Sequence, residues 1–391
     1  MPRLIPVKKL EELQRRPSSV RNLCILAHVD HGKTTLADAL IAANGIISAR
    51  MAGKLRYMDS RADEQERGIT MKASAVSLYF HQDGEFLLNI IDSPGHIDFC
   101  GEVSTALQLS DGCLLVVDVV EGVCPQTVSA IKEGLKPVLV LNKLDRLVTE
   151  LKMSASEAYQ QIQSVLTAVN AVAAEVLLSS ALAAEEADEE EHLRRRQGAV
   201  ERRLRRESEA EAEWKQLEEE EASLYFQPEA GNVVFGSAFH GWGFRLQEWV
   251  QLLSQRLGLS PSALQATLWG DFYLDGKAKR IRPGAYAKGK KPLFVQLVLE
   301  NIWTVYNAIL APQPDKAKLD KIIANLSIKL SARDQRHSDP QVHLEAVMGQ
   351  WLPLAWATLG AACHILPPPR PLREARLARL LPSYLVHPLA Q

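Results

Sequence analysis

The sequence predicts an α/β fold: a doubly wound, mostly parallel sheet carrying a phosphate-binding loop, with a small inserted α/β subdomain. Three observations predict it. Short continuous apolar runs, of the kind that form strands buried on both faces, alternate with helical patterns. The first run passes directly into Ala27-His28-Val29-Asp30-His31-Gly32-Lys33-Thr34. Downstream, in order, come Arg67-Gly68-Ile69-Thr70, Asp92-Ser93-Pro94-Gly95-His96, Asn142-Lys143-Leu144-Asp145 and Ser237-Ala238. Most of them sit where a strand of such a sheet should end, and that is where ligands bind in open α/β sheets.

The elements follow along the chain. Leu23–Ala27 reads as the first strand, and Thr35 to Asn44 as a helix stopped by Gly45 in the terminating position. Ala75–Phe80 is a plausible edge strand beside Leu87–Ile91, and Cys113–Val117, Val138–Leu141 and Val233–Phe235 complete the buried set. Ser154-x-x-Glu157 is a capping box opening a helix through Ala158, Ile162, Val165, Leu166 and Val169. From Glu185 to Glu221 blocks of Glu, Asp and Arg with few large apolar residues read as a solvated helix or disordered insertion. After Gly243, Leu246, Trp249, Val250 and Leu253 mark an amphipathic helix. A second pattern, Trp269 to Leu330, then holds a strand at Leu293–Val298 and a helix at Trp303–Leu310.

These assignments divide the chain into an N-terminal extension (1–20), a nucleotide-binding domain (21–257) with the charged insertion 185–221, and an inserted subdomain (258–343). A closing helix (344–367) and a tail (368–391) follow, the tail carrying a short amphipathic stretch, Arg370 to Leu381, bounded by prolines.

Composition bounds the rest. The 391 residues are 47% hydrophobic and 24% charged, with a formal net charge of −2. That is an ordinary globular composition, with no chain-wide positive field to attract nucleic acid. Locally basic loops at Lys277, Lys279, Arg280, Arg282, Lys288, Lys290 and Lys291 are read as solvated rather than RNA-binding. The five cysteines are odd in number, widely spaced and mostly within apolar patterns, which suits reduced packing residues. His28 and His31 share a His-x-x-His spacing, but no further ligands adjoin them, and zinc is not expected. Without an apolar leader or a run of membrane-spanning length, the expected compartment is the cytoplasm, with neither membrane nor DNA as partner.

The ordered motifs describe a GTP site. Backbone N–H groups of Asp30, His31 and Gly32 can cradle phosphate oxygens, Lys33 supplies a point charge for the β- and γ-phosphates, and Thr34, followed by Thr35, can place its hydroxyl on Mg²⁺. Asp145 can accept from both N1–H and the N2 amine of guanine, which adenine lacks, with Asn142, Lys143, Ser237 and the Ala238 N–H supporting the base. Thr70 ends a long loop, Gly45 to Ile69, of the kind ordered by γ-phosphate and Mg²⁺. Asp92 can hold Mg²⁺ through a water, the Gly95 N–H can meet the γ-phosphate, and His96, aimed at the attacking water, is the expected catalytic residue. One unbraced histidine with no evident arginine finger predicts slow turnover until a partner stimulates it.

Asp-His-Gly-Lys-Thr, Arg-Gly-Ile-Thr and Asp-Ser-Pro-Gly-His in this order resemble the translational GTPases, a P-loop GTPase family. The stretch Asn22 to Pro367 resembles the elongation factor 2 group. Within that group the similarity is greatest to the elongation factor-like GTPases of large ribosomal subunit maturation. It is carried by Ala52 to Arg61, Val120 to Thr127 and Lys288 to Gln296. The resemblance implies a cytoplasmic GTPase using GTP/GDP and Mg²⁺ on the 60S subunit with the Shwachman-Bodian-Diamond syndrome protein, promoting release of eukaryotic initiation factor 6. It assigns Lys33 and Thr34 to phosphate and magnesium, Thr70 to the first switch, His96 to the attacking water, and Asn142, Lys143 and Asp145 to guanine.

The chain departs from the family in three places. Ala27 replaces the first glycine of the loop. The interval Thr127 to Lys136 is about one helical turn shorter. The family also continues through further domains, so a fragment or shortened product is expected. An elongation factor 2-like translocase and a truncated GTP-binding module without ribosome-remodelling activity remain the alternative readings.

Overall fold

The computed structural model describes residues 6–132, 135–195, 225–275, 280–311, 316–326, 328–331, 334 and 337–369. Three sequence expectations lie wholly or largely outside these residues: the charged insertion beyond 195, the tail from 370, and Lys277 and Lys279 of the basic loops.

In chain order the strands are β1 (Val20–Ala27), β2 (Ser74–His81), β3 (Glu85–Asp92), β4 (Gly112–Asp118), β5 (Lys136–Asn142), β6 (Val233–Ser237), β7 (Trp242–Phe244), β8 (Phe272–Asp275) and β9 (Arg280–Pro283). The helices of the first half are α1 (Val7–Gln14), α2 (Lys33–Ala43), α3 (Ala62–Arg67), α4 (Cys100–Leu109), α5 (Pro125–Lys132), α6 (Leu144–Thr149) and α7 (Ala155–Arg195). Those of the second half are α8 (Leu246–Leu257), α9 (Pro261–Thr267), α10 (Glu300–Ile309), α11 (Lys316–Asn325), α12 (Pro340–Trp351) and α13 (Leu354–Ile365).

Seven strands form one sheet in the order β2-β3-β1-β4-β5-β6-β7. β3, β1, β4, β5 and β6 are mutually parallel, while β2 and β7 close the two edges antiparallel. Alternation explains why the inner strands are apolar throughout. Leu23 and Ile25, Leu114 and Val116, and Val138 and Val140 face one core layer. Cys24 and Leu26, Cys113 and Leu115, and Leu139 and Leu141 face the other. With successive side chains pointing to opposite faces, a strand sandwiched between two helical layers has no solvent side to mark with polar residues.

The first layer is made by α2, through Leu36 and Leu40, together with α13, through Leu354, Ala357 and Leu359. The second contains Ala106 and Leu107 of α4, Tyr159, Ile162 and Val169 of α7, and Trp249 and Leu253 of α8. Since β1 lies between β3 and β4, and the helices that follow β1 and β3 cover opposite faces, the winding reverses at β1. The loop leaving its carboxyl end therefore stands at the crevice such a reversal creates.

The capping box forms as expected: the Ser154 N–H donates to Glu157 Oε2 at 2.8 Å and the Glu157 N–H to Ser154 Oγ at 3.3 Å. Helix α7 runs for 41 residues, but Ala173 is the last it buries in the described part. Its helical backbone to Arg195 takes up the start of the charged stretch as a continuation rather than as a new element.

Two expectations are corrected. Leu293–Val298 is not a strand: Leu293 and Phe294 open a helical segment that widens to a π-turn at Val295–Leu299 and continues into α10. The buried residues Leu293, Phe294, Val298, Leu299, Ile302, Trp303 and Tyr306 form one stripe when read through to Tyr306. A short apolar run does not reveal this by itself. The stripe joins the core layer that also holds α7 and α8, and among the described residues the sheet of the inserted segment is the hairpin β8–β9. The closing segment likewise is the end of α12 and the whole of α13, broken at Leu352-Pro353.

Among the described residues no helix is long and apolar enough to cross a membrane.

Candidate nucleotide site

Between β1 and α2 the chain turns through left-handed conformations at Asp30 (φ 63°) and Gly32 (φ 93°). Gly32 meets two demands at once, since a β-carbon there would be strained by the backbone and would also run into the Asn142 amide. The turn brings the amino end of α2, with its unsatisfied N–H groups, to the carboxyl edge of the sheet. Gly95 packs on the same loop from β3, its hypothetical Cβ lying 3.1 Å from the Ala27 carbonyl oxygen and 3.3 Å from the Val29 nitrogen. A side chain here would force the two turns apart by a few tenths of an ångström.

Lys33 Nζ is the focus of the phosphate end. It lies 2.8 Å from Asp92 Oδ1, 3.2 Å from Thr70 Oγ1 and 3.3 Å from Thr34 Oγ1, and the two threonine hydroxyls are 3.0 Å apart. The Thr70 hydroxyl also donates to Asp59 Oδ1 at 2.8 Å. Thus Thr34, Thr70 and Asp92, the three residues expected to hold Mg²⁺, converge on one cation, the lysine ammonium. Asp92 is fully buried, and its Oδ2 has no hydrogen-bond partner among the described residues. Burial pushes its carboxyl above the usual range, opposed by Lys33. A buried carboxylate oxygen left without a donor, beside two hydroxyls, fits a hydrated divalent cation.

At the other end, a cavity of ≈ 330 Å³ is lined by Asp30, Gly32, Thr35, Asn142, Lys143, Asp145, Arg146, Ala238 and neighbours. Asn142 braces it. Its Nδ2 donates to the His31 carbonyl at 2.9 Å and its Oδ1 accepts from the Ala238 N–H at 2.8 Å. The Ala238 N–H is therefore engaged by Asn142 rather than turned to the cavity. Ser237 is fully buried, and its hydroxyl accepts from the His240 N–H, so it lies behind the wall instead of in it. Lys143 has a left-handed backbone (φ 62°), and its ammonium is held 2.7 Å from Asp118 Oδ2, which Arg146 also reaches at 3.0 Å. Such a non-glycine conformation costs on the order of 1–3 kcal/mol and persists where surroundings fix it. Asp145 Oδ1 is buried with no partner among the described residues, an acceptor placed for a donor the protein does not supply.

The loop from Gly45 to Ile69 is more ordered than its sequence suggests. Asp38 of α2 accepts from the backbone N–H groups of Gly53, Arg56 and Tyr57, and burial raises its pKa despite these bonds. Glu64 of α3 accepts from Met71 and Lys72 just beyond Thr70. Neither residue belongs to a motif; an aspartate in a helix that buries it was the only signal available. His96 is half-buried and, contrary to the expectation of an unbraced residue, its Nδ1 lies 3.2 Å from Asp98 Oδ2 and accepts from the Asp98 N–H, a brace supplied by an exposed neighbour two residues on.

One expectation about histidines changes. His31 is fully buried, and His28 meets it only ring edge to ring, with centroids 5.2 Å apart. Its closer neighbours are Glu121 and Cys124, from a loop some ninety residues away in sequence. Sequence spacing offered no hint of them. On the far rim, His240 and Gln341 join the cavity to the inserted segment: His240 Nε2 is 3.0 Å from Gln341 Oε1.

The family described as "Elongation factor Tu GTP binding domain" matches residues 18–257. Among curated relatives, "Elongation factor-like GTPase 1" of Mus musculus is 50% identical over 382 residues, covering 96% of this chain and 33% of that protein. The Homo sapiens protein of the same name is 50% identical over 380 residues, 95% of this chain and 33% of its own. "Ribosome assembly protein 1" of Saccharomyces cerevisiae is 45% identical over 410 residues, 98% and 34% respectively. The chain spans about a third of the length of these relatives.

Proposed function

The chain belongs to the elongation factor Tu GTP-binding domain family, and from that premise we propose that it binds GTP with Mg²⁺ and hydrolyses it as a ribosome-stimulated factor in assembly of the large ribosomal subunit. The observation that carries the reading is the pair of buried carboxylate oxygens without donors, Asp145 Oδ1 at the base cavity and Asp92 Oδ2 at the phosphate end. Guanine offers two N–H groups to the carboxylate that carries the first. The second, with Thr34 and Thr70, is suited to Mg²⁺, which when bound would neutralise charge on the phosphates.

Each residue then has a task. Asp145 accepts from the guanine edge, Lys143 and Asn142 hold the walls, and Lys33 leaves Asp92 to meet the β- and γ-phosphates. The N–H groups of Asp30 and Gly32, with Thr35 at the cavity edge, enclose the phosphates, joined by the His31 N–H once it leaves the His28 carbonyl it meets at 3.3 Å, and the Gly95 N–H meets the terminal one. Ser237 and Ala238 act indirectly, through the turn at His240 and through Asn142. His96, anchored at Nδ1 by Asp98, is left with Nε2 to orient the attacking water.

The names of the relatives support ribosome assembly. Cytoplasmic maturation of the 60S subunit, cooperation with the Shwachman-Bodian-Diamond syndrome protein and release of eukaryotic initiation factor 6 extend that reading as our proposal for the chain. The division at 21–257, 258–343 and 344–367 is carried as a functional one: grip, support of the base loop, and closure.

The test is multiple-turnover GTP hydrolysis with and without purified 60S subunits, for the parent and His96→Ala. Stimulation by 60S that is lost in the variant supports the proposal. Full-speed turnover without subunits, or equal rates in parent and variant, overturns the stimulated mechanism or the role of His96.

A further inference from the structure

Beside the phosphate loop lies a cluster that guanine-nucleotide chemistry does not use. β1 and β4 are adjacent and parallel, with Ala27 beside Val116, so the loops leaving their carboxyl ends meet. One contributes His31, the other Glu121 and Cys124. His31 Nε2 lies 3.3 Å from Glu121 Oε2 and 3.6 Å from Cys124 Sγ, and all three donor atoms fall within 4.8 Å of one another.

The two separations from Nε2 match edges of a tetrahedral ligand set. With zinc bonds of about 2.0–2.1 Å to nitrogen, 2.0–2.2 Å to oxygen and 2.3 Å to sulfur, the tetrahedral edges come to about 3.3 Å for N···O and about 3.6 Å for N···S. The imidazole is also held as a ligand should be. Its Nδ1 faces the β4 backbone, where it accepts from the Asp118 N–H at 3.3 Å and can instead donate to the Val116 backbone, and it is the donation to Val116 that would leave Nε2 unprotonated and directed at carboxylate and thiol. Ligating histidines are usually fixed through the second nitrogen in this way. Arg146 approaches the other carboxylate oxygen of Glu121 only at 3.9 Å. His31 is buried, Cys124 half-buried and the Glu121 side chain 43% exposed, so an ion can enter from solvent and keep one position for water.

We propose that His31, Glu121 and Cys124 form a binding site for one borderline-soft divalent cation, represented by Zn²⁺, separate from the magnesium position at Thr34, Thr70 and Asp92. Imidazole and thiolate select against Mg²⁺, which prefers oxygen ligands and retains its waters. As the metal–sulfur bond forms, the Cys124 thiol proton passes to solvent. The ion cross-links the loops after β1 and β4. Because Asn142 bonds the His31 carbonyl, it also steadies the junction between phosphate loop and base cavity.

The experiment uses the full chain saturated with GDP and Mg²⁺, so that the nucleotide's own metal position is filled. Co²⁺ is titrated spectroscopically and Zn²⁺ against a chromophoric chelator. One equivalent is expected, with a thiolate-to-cobalt charge-transfer band and tetrahedral visible absorption. Cys124→Ser removes the band, and both it and Glu121→Gln weaken Zn²⁺ by more than the roughly 10- to 100-fold that outer-shell changes cost. Cys100→Ser, at the exposed thiol, changes nothing. Should a variant fail to fold, the parent decides by itself: bound Zn²⁺ slows alkylation of Cys124, mapped by mass spectrometry, and leaves Cys100 unprotected. An octahedral cobalt spectrum without charge transfer, a band that survives Cys124→Ser, or binding well below one equivalent overturns the proposal.

Discussion

The hydroxyl of Tyr306 stands 2.9 Å from Nδ1 of His240, and it also accepts a 2.8 Å hydrogen bond from the Trp242 indole N–H. A helix of the inserted segment thereby holds the loop that follows β6 and rims the base cavity. Tyr306→Phe removes one oxygen and leaves two buried polar groups without a partner. Each such group costs about 1–3 kcal/mol. The denaturation midpoint should fall, and fluorescent GDP should dissociate faster. Unchanged dissociation in a measurably destabilised variant would show that the insert supports the fold but not the grip.

Asp145→Asn exchanges an acceptor for an amide that presents a donor to the N1–H of guanine. Guanine-nucleotide affinity should fall by at least about 10²-fold, while xanthine nucleotides, which carry a carbonyl in place of the N2 amine, should gain. Calorimetry with GDP and XDP checks both directions. Equal losses for the two bases would mean that Asp145 shapes the cavity without reading the base.

Gly95→Ala places a methyl group 3.1 Å from the Ala27 carbonyl and 3.3 Å from the Val29 nitrogen. Both neighbours are backbone, so the turn carrying His96 must move instead. The shift required is a few tenths of an ångström, and since a full ångström at a reacting centre costs about 10²-fold in rate, the loss should be smaller, about 10-fold. Single-turnover GTP hydrolysis on 60S subunits should drop on that order, with GDP affinity nearly preserved.

Asp38→Ala leaves the N–H groups of Gly53, Arg56 and Tyr57 without their shared acceptor. Limited trypsin digestion of the nucleotide-free chain should cut after Arg56 sooner than in the parent. A digestion pattern identical to the parent's would assign the order of this loop to α3 and Glu64 alone.

The thiols should divide by burial. Burial pushes Cys24 and Cys363 up to about 12 and Cys113 well above the ordinary thiol range, so at neutral pH these three lack the reactive thiolate. Cys100 is exposed and Cys124 intermediate. Counting with a thiol reagent should find Cys100 first, Cys124 more slowly, and the remaining three only in denaturant.

Much of the sheet was legible because its inner strands are apolar on both faces and end in chemically distinctive turns. β1, β3, β4, β5 and β6 all fall on runs read from sequence, and the edge strand β2 shows the mixed pattern of a half-exposed one. β7 was not legible, since three residues, Trp-Gly-Phe, are too short to display a period. Leu293–Val298 misled because a run of six residues, five of them apolar, fits a strand as well as a helix, and the stripe that decides runs on to Tyr306. Within the site, the motif residues announce themselves, but their supports do not. Asp38, Asp59, Glu64, Asp118 and Tyr306 act through contacts with distant backbone or side chains. Only the folded sheet brings His31 to Glu121 and Cys124.

A single amide at Asn142 touches residue 31 with one end and residue 238 with the other. The loops after β1 and β6 that meet there are coupled, because loosening either contact strips a buried partner from its neighbour. Filling the cavity should therefore register as a rise in the melting temperature of the molecule as a unit, growing with the logarithm of nucleotide concentration, rather than as the quieting of one loop.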